Sequence, residues 1–496
     1  MKKIDFTFID LFAGIGGFHR ALTLNGGKCI GFSEINNDAI SCYSDNTDEP
    51  LGLNFGDITK VKQLPSHDLL TAGVPCQSWS IAGRNLGFDD DRGQLWNDTI
   101  YLLNQSRPKA FIFENVKGLV DPRNTVALKY IMDRIHNAGY HANYHVINSY
   151  DHGVLQNRIR IYIIGFLDRK FFEKFTISPG TKQRKRLGEL FGINFYDNNV
   201  NKTLKDLFGN PISSRQMSLS ASGGVNDYFL FNDIRNGDTT IHSWDLLPTT
   251  DRQKEICLLI LRNRRKKTYG CLDGNPLSIS QLNELDKKIN QREIDELIEL
   301  QILASEEYCF KISTPRQKLT AFEDEILSLA NGDTLILDEL NLNRNLKVKK
   351  IPLKKALKSL MEKGALSCVE VRYDFKNTKI STGLNGVNRI FLPSSMVFST
   401  LVASDTNDMV ATRDINLNDT KDYRKKFIKE IYEMGCFRKI TQAEACLLQG
   451  FPADYRLPIS RARWMKLLGN SVSVPVIEKL CKDIISTGVF DQISKK

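Results

Sequence analysis

The sequence predicts an α/β protein built on a Rossmann-like, doubly wound sheet. Three observations predict it. Short apolar runs alternate with stretches of helical spacing through the first third of the chain. A glycine-rich turn, Ala13-Gly14-Ile15-Gly16-Gly17, follows the first run. Acidic residues stand at the ends of successive runs, where open α/β sheets bind their ligands.

The elements follow in order. Residues 6–12 (FTFIDLF) form a mostly apolar strand that stops at the glycine turn, and a helix is expected from Phe18 to Asn25. Lys28 to Glu34 reads as a second strand that ends in an acid, and Ile35 to Tyr43 as the next helix. Asn54-Phe55-Gly56-Asp57 is taken as the end of a third strand, again closing on an acid. Asp68 to Gly73 makes a fourth, and Ala110 to Phe113 a fifth that ends at Glu114. Tyr144 to Ile147 and Arg160 to Phe166 add two more.

Composition sets the frame. The chain has 496 residues, of which 41% are hydrophobic and 25% charged, which excludes wholesale disorder. Lys and Arg number 68 against 58 Asp and Glu, and the balance of +10 suits a polyanionic partner without identifying one. The ten cysteines include no C-x-x-C pair, so a zinc ribbon is not expected and no metal site is assigned. Scattered cysteines, an N-terminus without a signal-type apolar run and the lack of any 18-residue apolar stretch lead us to expect a cytoplasmic protein with no membrane partner.

The strand ends carry the chemistry. Glycines after the first strand let backbone approach a ligand, although a ligand-free βα turn has the same composition. Glu34 can accept hydrogen bonds from ribose hydroxyls, and Asp57 can hold an adenine amino group. Singly, each is as readily a helix cap or a solvated acid. As a series they favour an adenosine-containing cofactor. The turn lacks the full G-x-G-x-x-G cradle for a pyrophosphate, which argues against NAD and for S-adenosylmethionine. Gly73-Val74-Pro75-Cys76-Gln77-Ser78 leaves the fourth strand and offers a thiol in a Pro-constrained loop, where a buried, inert cysteine is the ordinary alternative. Glu114 closes the fifth strand. Arg158 and Arg160, two apart at the start of a strand, share one face. Together these supply a nucleophile, a carboxyl proton donor and guanidinium donors around one cleft.

In this order, DLFAGIGGF, GVPCQS, ENV and QNRIR resemble the C5-cytosine DNA methyltransferase family, an S-adenosylmethionine-dependent methyltransferase fold. Two distal blocks agree with the family's last motifs: Arg438 to Glu444 running into Leu448-Gln449-Gly450-Phe451-Pro452, and Gly469-Asn470-Ser471-Val472-Ser473-Val474-Pro475. The likeness covers about residues 4–168 and 396–487. It implies a domain discontinuous in sequence: residues 1–170, then an inserted target-recognition region over 171–395, then 396–496.

The resemblance implies a mechanism. Cys76 is the nucleophile that adds to cytosine C6, with Arg158 and Arg160 as candidates for lowering its pKa. Glu114, protonated, bonds cytosine N3, Arg160 contacts O2, and the Val74 carbonyl takes the amino group. The base flips out of the duplex, and the loop from Ser78 to Gln94 closes over it. Phe18 is carried onto an adenine-stacking position, Glu34 and Ile35 onto the ribose edge, and Asp57 and Ile58 onto adenine contacts. Leu95 and Asn470 complete the cofactor set. Ile35 stands where a Trp can occur, and Leu155 where a Pro is usual. The partners implied are double-stranded DNA and, functionally, a cognate restriction endonuclease; a monomer is expected. The alternatives are a tRNA cytosine-5 methyltransferase and a non-catalytic DNA-binding regulator on the same fold.

The middle region is long for a recognition segment. Arg262 to Lys267 is a basic cluster suited to phosphate contact or to a solvated helix end. Ser280 to Ile289 and Gln291 to Leu300 have helical spacing, with Ser278 as a cap. Leu353 to Lys363, alternating Val369 to Tyr373 and Asn388 to Leu392 suggest a helix followed by a hairpin, as in a winged helix. Ile294 to Leu303 with Tyr308 to Ile312 suggests a second copy.

Overall fold

Strand β1 (Phe6–Leu11) is mostly apolar, with Phe6 and Phe8 on one face and Ile9 and Leu11 on the other, because both faces are covered, as in parallel sheets generally. In the computed structural model, which describes residues 5–47, 49–75, 91–180, 185–196, 241–270, 274–343, 346, 352–376, 389–416 and 423–491, β1 lies inside a six-stranded sheet. The other strands are β2 (Gly27–Ser33), β3 (Leu69–Gly73), β4 (Ala110–Val116), β5 (His141–Asn148) and β6 (Ile159–Phe166), in the order β2-β1-β3-β4-β6-β5. β1 runs parallel to β2 and β3, and β3 parallel to β4. β6 is antiparallel to both β4 and β5. The chain leaves β1 for β2 on one side and for β3 on the other, so the topological switch point lies at β1.

Helices α1 (Gly17–Leu24), α2 (Asn37–Thr47), α3 (Asp91–Ser106) and α4 (Thr125–Asn137) connect these strands. The expected third strand is reduced to one bridge, Phe32 with Asn54, and the Phe55 N–H donates to the Phe32 carbonyl at 2.7 Å. Gly56, at φ 70°, then turns the chain, and Asp57 caps the short turn Ile58–Lys60.

The described residues fall into two compact units. One takes residues up to 196 together with 390–491, and the other takes 241–389. The segment 171–196 belongs to the first: the Leu187 N–H donates to the Ser395 carbonyl at 2.8 Å, and the Ser178 hydroxyl to Asp483 at 2.6 Å. A C-terminal helix, Val474–Ile485, packs on α1. That contact requires glycine at the start of α1, because a Cβ on Gly17 would come within 2.7 Å of Val472.

The second unit centres on a four-stranded antiparallel sheet, β7-β10-β8-β9, made of β7 (Leu277–Ser278), β8 (Leu303–Ile312), β9 (Thr334–Ile336) and β10 (Leu366–Phe375). Ser278 caps the helix Ile279–Leu285 through a capping box with Gln281, as its sequence suggests. The expected hairpin is different. β10 pairs with β8, whereas β11 (Arg389–Phe391) joins a separate three-stranded sheet with β12 (Asp408–Ala411) and β13 (Phe437–Lys439). The basic cluster also divides. Arg262 and Arg265 to Lys267 are exposed, but Arg264 is buried and holds Asp374 in a bidentate pair at 2.8 and 2.6 Å, so it is not a phosphate contact.

Candidate active site

A cavity of about 380 Å³ opens at the carboxyl ends of β1 to β4. That position follows from the switch point. The volume falls in the range of pockets that take a drug-sized ligand, roughly 300–1,000 Å³.

One half of the cavity is shaped by Glu34. Its Oε2 accepts the Gly14 N–H at 2.9 Å, and its Oε1 accepts the Ile35 and Asn36 N–H groups at 2.8 Å each. The carboxylate thus ties the glycine turn after β1 to the loop after β2. Asn54 adds a second tie, since its Oδ1 accepts the Glu34 N–H at 3.1 Å and its Nδ2 donates to the Glu34 carbonyl at 3.1 Å. Asp57 lines the cavity while its Oδ1 accepts the Thr59 hydroxyl at 2.8 Å and the Thr59 N–H at 3.0 Å, and these contacts hold its carboxyl below the usual range. Both acids therefore also do the structural jobs that were their alternatives. Ile35, Ile58 and Leu95 give apolar wall, and Asn470 also lines the cavity.

Phe18 is the exception. It is 2% exposed, within α1, and does not line the cavity. The lining phenylalanine is Phe12, at the end of β1, where the backbone turns into the left-handed region at φ 53°. Positive φ is rare for a bulky side chain, and here it marks a residue facing a ligand-sized space. Sequence reasoning passed over Phe12 because it read as the last apolar residue of a strand. Lys466, also on the wall, had no motif to announce it.

The other half of the cavity holds Glu114 and Arg160. In the antiparallel β4–β6 register Glu114 lies opposite Tyr162, so Arg160 is its diagonal neighbour on the same face. The Arg160 Nε sits 3.1 Å from the Glu114 Oε1. Burial pushes the Glu114 pKa up, and the Arg160 and Arg158 charges pull it back only in part. A carboxyl that keeps its proton beyond the usual range, beside a fixed cation, can donate a hydrogen bond to a ring nitrogen. The Val74 carbonyl already accepts from Asn115 Nδ2 at 3.2 Å, and carbonyl oxygen has a second lone pair. Cys76 lies outside the described residues; Pro75, which precedes it, lines the cavity. The loop from Ser78 is likewise outside them up to Asp90, and residues 91–94 open α3.

Arg158 lines the cavity and also has structural partners that its sequence does not suggest. It is 2% exposed. Its Nη1 donates to the Leu401 carbonyl at 3.0 Å, and its Nη2 to the carbonyls of Gly469 and Ser471 at 3.1 and 2.7 Å. It thereby clamps the two residues that flank Asn470. Gln156 extends the clamp: its Nε2 donates to Leu448 O and Gln449 Oε1, and its Oε1 accepts the Leu401 N–H at 3.1 Å. Gln449 Nε2 donates in turn to the Ser471 carbonyl at 2.7 Å. The helix that presents Gln449, Gln442–Gln449, starts at a capping box between Thr441 and Glu444, and Arg438 grips Glu444 at 2.8 and 2.6 Å. The 438–452 block thus anchors the C-terminal wall of the cavity.

The family model for C-5 cytosine-specific DNA methylase matches residues 6–486. The chain is 37% identical over 492 residues to the Type II methyltransferase M.HgiBI of Herpetosiphon aurantiacus, covering 98% of each. It is 28% identical to M.NlaIV of Neisseria lactamica, covering 97% of this chain and 99% of that one. Among solved structures, the Entamoeba histolytica methyltransferase EhMeth is 14% identical with a TM-score of 0.46, covering 98% of this chain and 99% of that one.

Proposed function

The chain belongs to the C-5 cytosine-specific DNA methylase family, and from that premise we propose that it is the modification enzyme of a Type II restriction system, with its chemistry placed in the cavity at the ends of β1 to β4. It is a DNA (cytosine-5-)-methyltransferase. The restriction pairing rests on the names of its relatives.

The observation that carries the site assignment is the pair of buried Glu114 and partly buried Arg160 that lines a ligand-sized, acid-edged cavity. The residues present fit S-adenosylmethionine: an apolar slot between Phe12, Ile58 and Leu95, and carboxylates of Glu34 and Asp57 able to accept from ribose and adenine. Ile35 and Asn470 would close it. When bound, that cofactor supplies an electrophilic methyl group.

The chain's own residues do the rest. Cys76 adds as a thiolate to C6 of an extruded cytosine, and electron density moves to C5. Glu114, holding its proton against N3, stabilises the ring as charge develops, and Arg160 fixes the pair and O2. Arg158 acts as a positioning residue through the carbonyls around Asn470. Once C5 carries the methyl group, solvent water takes the C5 proton, the C5–H electron pair restores the C5–C6 double bond and Cys76 leaves as a thiolate.

The test is trapping. A duplex pool containing 5-fluorocytosine is incubated with enzyme and S-adenosylmethionine, and intact mass is measured. Fluorine cannot leave C5 as a proton does, so a covalent adduct is expected, and Cys76→Ser should abolish it. An adduct with tRNA but none with duplex DNA would reject the duplex assignment. No adduct with either, from a folded enzyme that binds cofactor, would reject the covalent mechanism.

A further inference from the structure

The second unit is built twice from one plan. A helix, a short strand, two helices and a long strand occur as Asp251–Asn263, β7, Ile279–Leu285, Gln291–Glu299 and β8. The same order recurs as Ala321–Ser328, β9, Leu337–Leu342, Leu353–Glu362 and β10. From the last helix onward the copies align without a gap: Leu303 corresponds to Leu366, and Ile312 to Phe375.

The turns between helix and strand match bond for bond. Gln301 at φ 60° and Gly364 at φ 68° are equivalent. Ile302 N–H donates to Leu297 O at 3.0 Å, and Ala365 N–H to Leu360 O at 2.9 Å. The two long strands pair first residue to last, Leu366 with Ile312 and Phe375 with Leu303. Each short strand pairs with the long strand of the other copy, β7 with β10 and β9 with β8. The cores exchange in the same way: Tyr373 and Phe375 pack with Ile294 and Leu297, while Tyr308 and Phe310 pack with Leu357 and Leu360. This is a pseudo-twofold pair in which the short strand of each half pairs with the long strand of the other.

The equivalence lets the outward faces of the last helices be compared position by position. In the first copy these positions are Gln291, Arg292 and Asp295, all exposed. Their groups have partners within the unit: Gln291 Nε2 donates to Asp295 at 2.8 Å, Gln291 Oε1 accepts the Tyr373 hydroxyl at 3.1 Å, and Arg292 lies 3.3 Å from Glu296. In the second copy the same positions are Lys354, Lys355 and Lys358, again exposed. Lys354 reaches Glu306 at 2.6 Å. The buried sides stay alike, Ile294 and Leu297 against Leu357 and Leu360. Three exposed lysines on one helix face complement a polyanion, and lysine contacts to phosphate oxygens are what position a protein on duplex DNA.

We propose that the two copies have divided their labour: the helix Leu353–Glu362 lies against the phosphate backbone of the duplex through Lys355 and Lys358, while Gln291–Glu299 has become its structural counterpart and makes no DNA contact. The proposal rests on the duplex-DNA reading above.

The test measures duplex binding by the full-length enzyme against salt, for wild type, Lys355→Gln/Lys358→Gln and Arg292→Gln/Asp295→Asn. Each phosphate contact contributes about 0.9 to the slope of log K against log salt, so the lysine pair should lower the slope by about 2 and weaken binding about tenfold or more near 0.1 M salt. Thermal midpoint and S-adenosylmethionine binding should not move. The first-helix pair should leave the slope unchanged. A charge reversal, Lys355→Glu/Lys358→Glu, should deepen the loss. An unchanged slope in both lysine variants, or an equal fall in the first-helix pair, overturns the proposal while leaving wild-type DNA methylation intact. Wild type that methylates tRNA and no duplex would instead reject the reading beneath it.

Discussion

Two phenylalanines six residues apart, Phe12 and Phe18, flank the glycine turn, and only one faces the cavity. The turn itself was legible, because its glycines are a local requirement. Which ring lines the cavity was not, because it depends on Phe12 turning into the left-handed region, next to the Gly14 that Glu34 holds. Phe12→Ala should weaken cofactor binding by about tenfold, the value of one aromatic contact, with little change in unfolding free energy. Phe18→Ala should do the reverse, costing about 3–5 kcal/mol of stability as a core truncation. Calorimetric titration and denaturant unfolding separate the two, and the opposite pattern would return Phe18 to the cofactor. Glu114 carries a pH signature. Its pKa is raised chiefly by burial, so the protonated donor persists to higher pH than for an ordinary glutamate and is lost as pH rises through that value. A fall in kcat/KM on the alkaline side should follow. Glu114→Gln should remove that limb and lower kcat by about 10²- to 10⁴-fold. A limb that survives the substitution would assign it to another group.

Elements were legible where their causes are local. β1, β3 and β4 announced themselves as apolar runs because burial on both faces demands it, and Ser278 marked a helix start because a capping box needs only its own first turn. Asn54 to Asp57 misled for the same reason. Its residues end like a strand, but Gly56 allows only one bridge to Phe32 before the chain turns. Pairing was not legible. Nothing near Val369 indicates that β10 takes β8 as its neighbour across a whole helical repeat, in place of the adjacent Arg389–Phe391. Arg158 belongs with these cases. Its spacing from Arg160 suggested one shared face at the start of a strand, yet it lies just before β6 and donates to carbonyls at Leu401, Gly469 and Ser471, which no local pattern could indicate.

Across the whole molecule, the cavity and its supports belong to one unit although their residues come from both ends of the chain. Every lining residue lies between Phe12 and Arg160 or between Lys466 and Ser471, and the Gln156–Arg158 clamp joins those stretches without using any residue of 241–389. The two units also have separate cores: the sheet core around Leu70 and Phe111 shares no residue with the paired cores of the second unit. A chain in which residues 241–389 are replaced by a flexible Gly/Ser linker should therefore keep a folded first unit, because loop closure depends only weakly on linker length. It should bind S-adenosylmethionine within about threefold of the full chain, a difference of about 0.65 kcal/mol. It should also lose sequence-directed methylation of duplex DNA, since the lysine face and the rest of the inserted surface are gone. Calorimetric titration of cofactor and a labelled-methyl transfer assay measure the two properties separately. Retained binding with lost transfer would locate cofactor chemistry in the first unit and duplex engagement in the second. Loss of cofactor binding in a linker chain that still unfolds cooperatively would mean that the insertion shapes the cavity.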